Sequence, residues 1–225
     1  MEHHINADYS KLARMDAAEM EWIETPTAGV WRKRFDLSGP QEAGRVTSLV
    51  RFDPGTRFPA HDHPGGEEIL VLDGVFSDHQ GDHGPGSYLL NPEGFRHQPW
   101  SEPGCLLFVK LQQYAGEGRL QLALDTEAME WQPSGPPGVE EKMLYAQEEF
   151  DDRTFLVRLK AGTEIPHHRH PGGEEAYVIE GQIEDEDGLA KSGCWARYPR
   201  GSSHQPKAVS DCILYVKTGG LPADG

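Results

Sequence analysis

The sequence predicts an all-β protein made of two similar barrel or sandwich units in tandem. Three observations carry the prediction. Residues 51–110 align with 158–217 without a gap, at a constant offset of 107 (His61 to His168), and roughly 25 of the 60 aligned positions are identical. Apolar and β-branched runs of strand length recur along the chain, bounded by turn residues. Gly 26 and Pro 17 are high for a helical chain and suit many short strands joined by turns.

The repeat extends upstream. DAAEMEW (16–22) matches DTEAMEW (125–131), and Gly29-Val30 matches Gly138-Val139, now at an offset of 109 (Asp16 to Asp125). The two-residue change falls around 38–50, where LSGPQEAG reads as a turn or loop. A repeat of about a hundred residues is an ordinary domain size. The expected organisation is an N-terminal segment 1–20, a first unit 21–118 and a second unit 119–225.

Each element follows from its residues. RVTSLVRF (45–52) and RTFLVRLK (153–160) are β-branched and partly alternating. EEILVLDGVFSD and EEAYVIEGQIED read as strand, glycine turn or bulge, strand. GSYLLNPEG and GCWARYPRG end in Pro-x-Gly turns, and CLLFVKLQQY and CILYVKTG are short apolar strands. The helical candidates are SKLARMDAAEMEW and its echo TEAMEW.

Composition excludes several classes. A formal net charge of −16 opposes binding to a phosphate backbone, so no nucleic-acid partner is expected. No apolar run approaches the ~20 residues of a transmembrane span, and MEHHINADYSKLARMD lacks the pattern of a secretory signal. Cys105, Cys194 and Cys212 are too few and odd in number for a disulfide framework. The expectation is a cytoplasmic protein with no membrane partner. Cys105 and Cys212 fall in apolar strands and read as small buried hydrophobes, with a redox role as the second reading. His79 and His83, absent from the second repeat, read as surface histidines, and His3 and His4 as an untethered terminus.

GTRFPAHDHPGGEEILVLDG (55–74) returns as GTEIPHHRHPGGEEAYVIEG (162–181). Residues i and i+2 of a strand share a face, so His61 and His63 project together, as do His168 and His170. A carboxylate past the Pro-Gly-Gly turn can fold back toward them: Glu67 or Glu68, and Glu174 or Glu175. Alternation lets one of each neighbouring pair face inward. His97 and His204 arrive from a later strand after the Pro-x-Gly turns. Three imidazoles and a carboxylate suit borderline divalent metals. Two copies predict two metal sites, one per unit.

These residues resemble the cupin superfamily. Gly55-x5-His61-x-His63-x3-Glu67-x6-Gly74 looks like the first cupin motif, and Gly86-x5-Pro92-x-Gly94-x2-His97 like the second. Gly162, His168, His170, Glu174, Gly181 and then Gly193, Pro199, Gly201, His204 repeat both. The resemblance implies two tandem jelly-roll-like cupin β-barrels, a bicupin. Its spacing to Gly74 selects Glu67 over Glu68. The asparagine that cupins often carry four residues past the histidine is replaced by Ser101 and Ala208, a position that is not a ligand.

The HPGGEE wording and the short gap between motifs further resemble the cupin-like domain of ChrR-type anti-sigma factors. In that family the domain binds zinc. The resemblance assigns His61, His63, Glu67 and His97 to one site and His168, His170, Glu174 and His204 to the other. Only about twenty residues precede the first unit, with no cysteine among them. The helical domain by which such proteins grip a sigma factor is therefore not matched, and the expectation is against a sigma-factor partner.

Two functions fit the ligand set. A closed tetrahedral zinc site suits a sensor or small-molecule-binding regulatory module. Octahedral iron, manganese or nickel with open positions suits a cupin-type non-haem dioxygenase. Catalytic residues beyond the ligands are not identifiable. Arg96, Arg197 and Arg200 are candidates for holding an anionic small molecule by proximity to the motifs. A monomer or homodimer is expected, since two cupins in one chain can mimic the dimer that single cupins form.

Overall fold

The β-branched strand Arg45–Phe52 pairs on one side with Val30–Pro40 and on the other with Cys105–Leu111. This is the centre of the first unit in the computed structural model, which describes residues 2–222. The sheet continues through Glu67–Gly74, Ser87–Asn91 and Leu122–Asp125. Its inner face buries Val50, Phe52, Ile69, Val71, Leu89, Leu107 and Val109. A smaller sheet of Gly81–His83, Phe76–Asp78, Trp100–Ser101 and Thr56–Arg57 faces it, and a third pairs His61–His63 with Phe95–His97.

The second unit repeats the plan. Arg153–Leu159 lies between Val139–Ala146 and Cys212–Thr218, and Glu174–Glu180 and Cys194–Tyr198 follow. Its core joins Val157, Leu159, Val178, Leu214 and Val216. Cys105 and Cys212 are buried in the two cores, and burial pushes both thiols up to about 11, so they are protonated and inert.

The outermost strand of each unit comes from an unexpected place. Ala13–Asp16 pairs with Cys194–Tyr198, in the second unit. Its repeat counterpart Leu122–Asp125 pairs with Ser87–Asn91, in the first. The compact units are therefore Met1–Ala7 with Met20–Ala128, and Asp8–Glu19 with Met129–Gly225. Relative to a division at 20 and 118, the two repeats have exchanged their leading segments.

This exchange also displaces the helical candidates. Ala13–Asp16 is held extended by its sheet partner, and Asp16 Oδ1 then caps the Ala18 N–H at 2.8 Å, leaving a single 3-10 turn at Ala17–Glu19. Asp125 Oδ1 caps Glu127 in the same way at 2.9 Å. No α-helix occurs among the described residues. His3 and His4 are not untethered: Glu2–Ile5 pairs with Val30–Pro40, setting His3 opposite Gly39 and His4 opposite Ser38.

The two-residue difference between repeats lies in one hairpin. Residues 38–45 separate the paired Leu37 and Val46, against 147–152 between Ala146 and Arg153.

Candidate metal centres

The His61–His63 strand pairs antiparallel with Phe95–His97, which sets His97 opposite His61. Two glycine N–H groups fix this corner. Gly66 and Gly94 both donate to the His63 carbonyl, at 3.2 and 2.9 Å. The Pro-Gly-Gly turn thus delivers Glu67 to the start of the next strand, and the Pro-x-Gly turn delivers His97. In the second unit Gly173 and Gly201 donate to the His170 carbonyl at 3.0 and 2.7 Å.

All eight sequence-selected residues are brought together, four in each unit. His61, His63 and His97 form one compact set and His168, His170 and His204 the other, with one ring nitrogen from each within 4.8 Å of the rest. Each set could hold a metal ion. The glutamates touch two imidazoles apiece. Glu67 Oε2 lies 3.5 Å from His63 Nε2 and 3.6 Å from His97 Nε2. Glu174 lies 3.2 Å from His170 Nδ1 and 3.7 Å from His204 Nε2. Atoms sharing one ion at about 2.1 Å can be at most about 4.2 Å apart, so the carboxylate–imidazole separations fit, while nitrogens as far apart as 4.8 Å would have to draw in slightly around the ion.

Hydrogen bonding prepares the imidazoles. His61 Nδ1 lies 2.8 Å from the Pro59 carbonyl, and His168 Nδ1 lies 3.0 Å from that of Pro166. A carbonyl only accepts, so Nδ1 carries the proton and Nε2 offers a lone pair. His97 Nδ1 donates to Asp78 at 3.0 Å and His204 Nδ1 to Asp185 at 3.3 Å. His97 Nε2 is then also a lone pair, yet it stands 3.0 Å from His63 Nε2. A proton on His63 or a shared cation must separate them. In the second unit His170 turns Nδ1 toward Glu174, and its Nε2 is buried with no hydrogen-bond partner. Burial lowers the pKa of His61, His63 and His168, keeping them neutral and able to ligate.

Asp78 and Asp185 escaped the sequence reading. They are an identical pair at the same offset of 107 and could have been found on that signal. Burial alone would raise the Asp78 pKa. The His83 ring 3.6 Å away and hydrogen bonds from His97 and the Gln80 N–H outweigh it and hold the carboxyl well below the usual range. Asp185 is lowered against burial by His204, Tyr198 and Arg14. His83 is thus not a surface residue: its side chain is 12% exposed and Nε2 sits 3.6 Å from Asp78. His79 is exposed and stacks on Phe95. Glu68 turns to the other face of the sheet, where Tyr88 donates to it at 2.7 Å.

Comparison with known proteins agrees with this geometry. The ChrR cupin-like domain matches residues 10–115 and again 120–222. The chain belongs to this family. No curated protein matches it in sequence. Three solved structures share the cupin fold. A proposed dioxygenase from Nostoc punctiforme superposes with a TM-score of 0.77 at 16% identity, over 94% of this chain and 84% of its own. The pirin YhhW of Escherichia coli, in complex with nickel(II), gives 0.70 at 12% identity, over 94% of this chain and 100% of its own. Oxalate decarboxylase of Bacillus subtilis, with Mn(II) centres, gives 0.63 at 13% identity, over 95% of this chain and 78% of its own.

Each cupin unit has a cavity beside its histidines, and the two differ. The first encloses about 330 Å³ and is walled by Val50, Phe52, Phe58, Ile69, Leu107 and Val109. The second spans about 1240 Å³; there Ile165 replaces Phe58, and Tyr198 stands where Asn91 holds Glu67 at 3.1 Å. Of the suggested arginines, Arg96 pairs with Asp62 on the surface and Arg197 is buried, donating to the Asp8 carbonyl. Arg200 lines the second cavity while donating to Leu221 O at 3.1 Å. The arginine in the first cavity is Arg32. No helix among the described residues is long and apolar enough to cross a membrane.

Proposed function

We propose that this protein is a metal-binding regulatory module of the ChrR type, with one zinc held by His61, His63, Glu67 and His97 and another by His168, His170, Glu174 and His204. The observation that carries this reading is the convergence of three imidazoles and a carboxylate on a cavity wall, twice. Bound zinc would supply Lewis acidity toward a donor atom of a small molecule in the cavity by accepting it as a fifth ligand beside these four. The chain's own residues do the rest. Asp78 and Asp185 keep the proton on Nδ1 of His97 and His204, so Nε2 faces inward. The apolar wall of the first cavity gives a ligand its hydrophobic contact. Kinship with ChrR-type anti-sigma factors favours regulation; the reading needs no sigma factor.

A second reading is a non-haem dioxygenase loaded with iron, manganese or nickel. What favours it is room beside the histidines, which a purely structural zinc site does not need. Metal content per chain decides between them, measured by plasma mass spectrometry on untagged protein purified without added metal. About two zinc per chain, one lost in H61A and one in H168A, is the expected result. Iron, manganese or nickel would select the enzyme, and oxygen uptake would then be assayed. No metal at all would refute both.

A further inference from the structure

The first cavity contains a buried cation that the metal site does not use. Val30, Arg32 and Arg34 alternate along one strand, and Val30 belongs to the inner core. Arg32 therefore faces inward among apolar side chains. Its side chain is 10% exposed, and it lines the same cavity as His61, His63, Glu67 and His97. Its Nε is buried without a hydrogen-bond partner.

Glu67, in the same cavity, attracts it at longer range, but its ion-pair partner is shared. Glu42 Oε2 lies 3.3 Å from Arg32, a long contact for an ion pair, while Glu42 Oε1 takes Arg34 at 2.8 Å. One carboxylate, itself 37% exposed, thus serves two guanidinium groups. Glu42 lies on the 38–45 hairpin, the one that is longer than its counterpart in the second unit. At the repeat positions of Arg32 and Arg34 that unit has Glu141 and Met143. The arrangement belongs to the first unit alone.

We infer that the first cavity binds a small carboxylate with an apolar body, whose carboxylate takes the Arg32 guanidinium and displaces Glu42, an internal competitor. A planar guanidinium with a free edge matches a carboxylate. The walls around it are apolar and would be left uncovered by an inorganic anion. A volume of about 330 Å³ suits a small ligand. This inference rests on reading the cavity as a ligand site, and it adds the ligand's chemical class.

The test is calorimetric titration of the zinc-loaded full chain with hexanoate, benzoate and the neutral hexanamide, with metal content measured on the same samples. At least one acid binds, and hexanamide binds at least about tenfold more weakly than hexanoate. E42Q, at a half-exposed site, tightens acid binding about three- to tenfold, a gain that misfolding cannot produce. R32Q weakens it at least about tenfold with metal content unchanged. Acid affinity indifferent to both substitutions would mean that metal alone holds the carboxylate, and would overturn the inference while leaving the metal reading intact. No binding of either acid would also overturn it. If the protein takes up no metal, the metal reading fails, and the R32Q and E42Q comparison on metal-free protein still decides the inference.

Discussion

Asp78 accepts the Nδ1 proton of His97 at 3.0 Å, and Asp185 repeats the bond with His204 at 3.3 Å. A carboxylate behind a ligating histidine fixes its tautomer and makes it a better donor. D78N keeps the shape but removes the charge. Zinc affinity at the first site should fall about 10–100-fold, with the second site unchanged. Competition with a chelator of known affinity, followed site by site in an H168A background, measures this.

The two carboxylates are buttressed differently, which yields an asymmetric prediction. Arg14 pairs with Asp185 at 2.8 Å and also donates to Gly188 O at 3.0 Å. Its repeat counterpart is Ala123, and Asp78 instead has His83 and the Gln80 N–H. R14A should weaken metal binding at the second site about three- to tenfold and leave the first untouched. Equal losses at both sites would show that Arg14 acts on overall stability rather than on Asp185.

This asymmetry marks where sequence reasoning ends. The eight ligand candidates were legible because strand period, turn glycines and repeat offset all agree on them. Asp78 and Asp185 were visible as an aligned pair, but nothing local says that a strand-end aspartate faces a histidine. Arg14 was not legible at all. Its contact with Asp185 depends on Ala13–Asp16 joining Cys194–Tyr198, a pairing across about 180 residues that no local pattern encodes. Arg32 was hidden for another reason: charged residues at alternate positions suggest a solvated face, whereas the bulge near Phe35 and the neighbouring Val30 place this face inside.

Histidine burial gives a pH dependence with a definite sign. The pKa values of His61, His63 and His168 are lowered, chiefly by burial, so the folded metal-free protein keeps them neutral below the usual histidine range. The unfolded chain takes up those protons near pH ~6.5. It then binds more protons than the native state, so stability falls as pH drops below about 6.5. The Tm of metal-free protein should be lower at pH 5.5 than at 7.5. The triple variant H61Q/H63Q/H168Q should lose less over that range. Zinc should be released over the same interval, because protons compete for the same nitrogens.

Gly74 provides the sharpest stability test. It ends the strand that begins with Glu67, at φ 72, and a Cβ there would lie 2.0 Å from the Gly104 carbonyl oxygen. That oxygen is backbone, held in place by the Val75 N–H, so it cannot move aside cheaply. Gly55 offers the control: its φ is 76, but a Cβ there meets nothing within 4 Å. Both alanine variants bear the cost of a left-handed backbone, roughly 1–2 kcal/mol. Only G74A adds the clash, so it should lose at least about 2 kcal/mol more than G55A. In urea this appears as a lower midpoint at unchanged slope. The same clash recurs at Gly181, whose Cβ would lie 2.1 Å from the Asp211 carbonyl oxygen, so G181A should behave like G74A in the second unit.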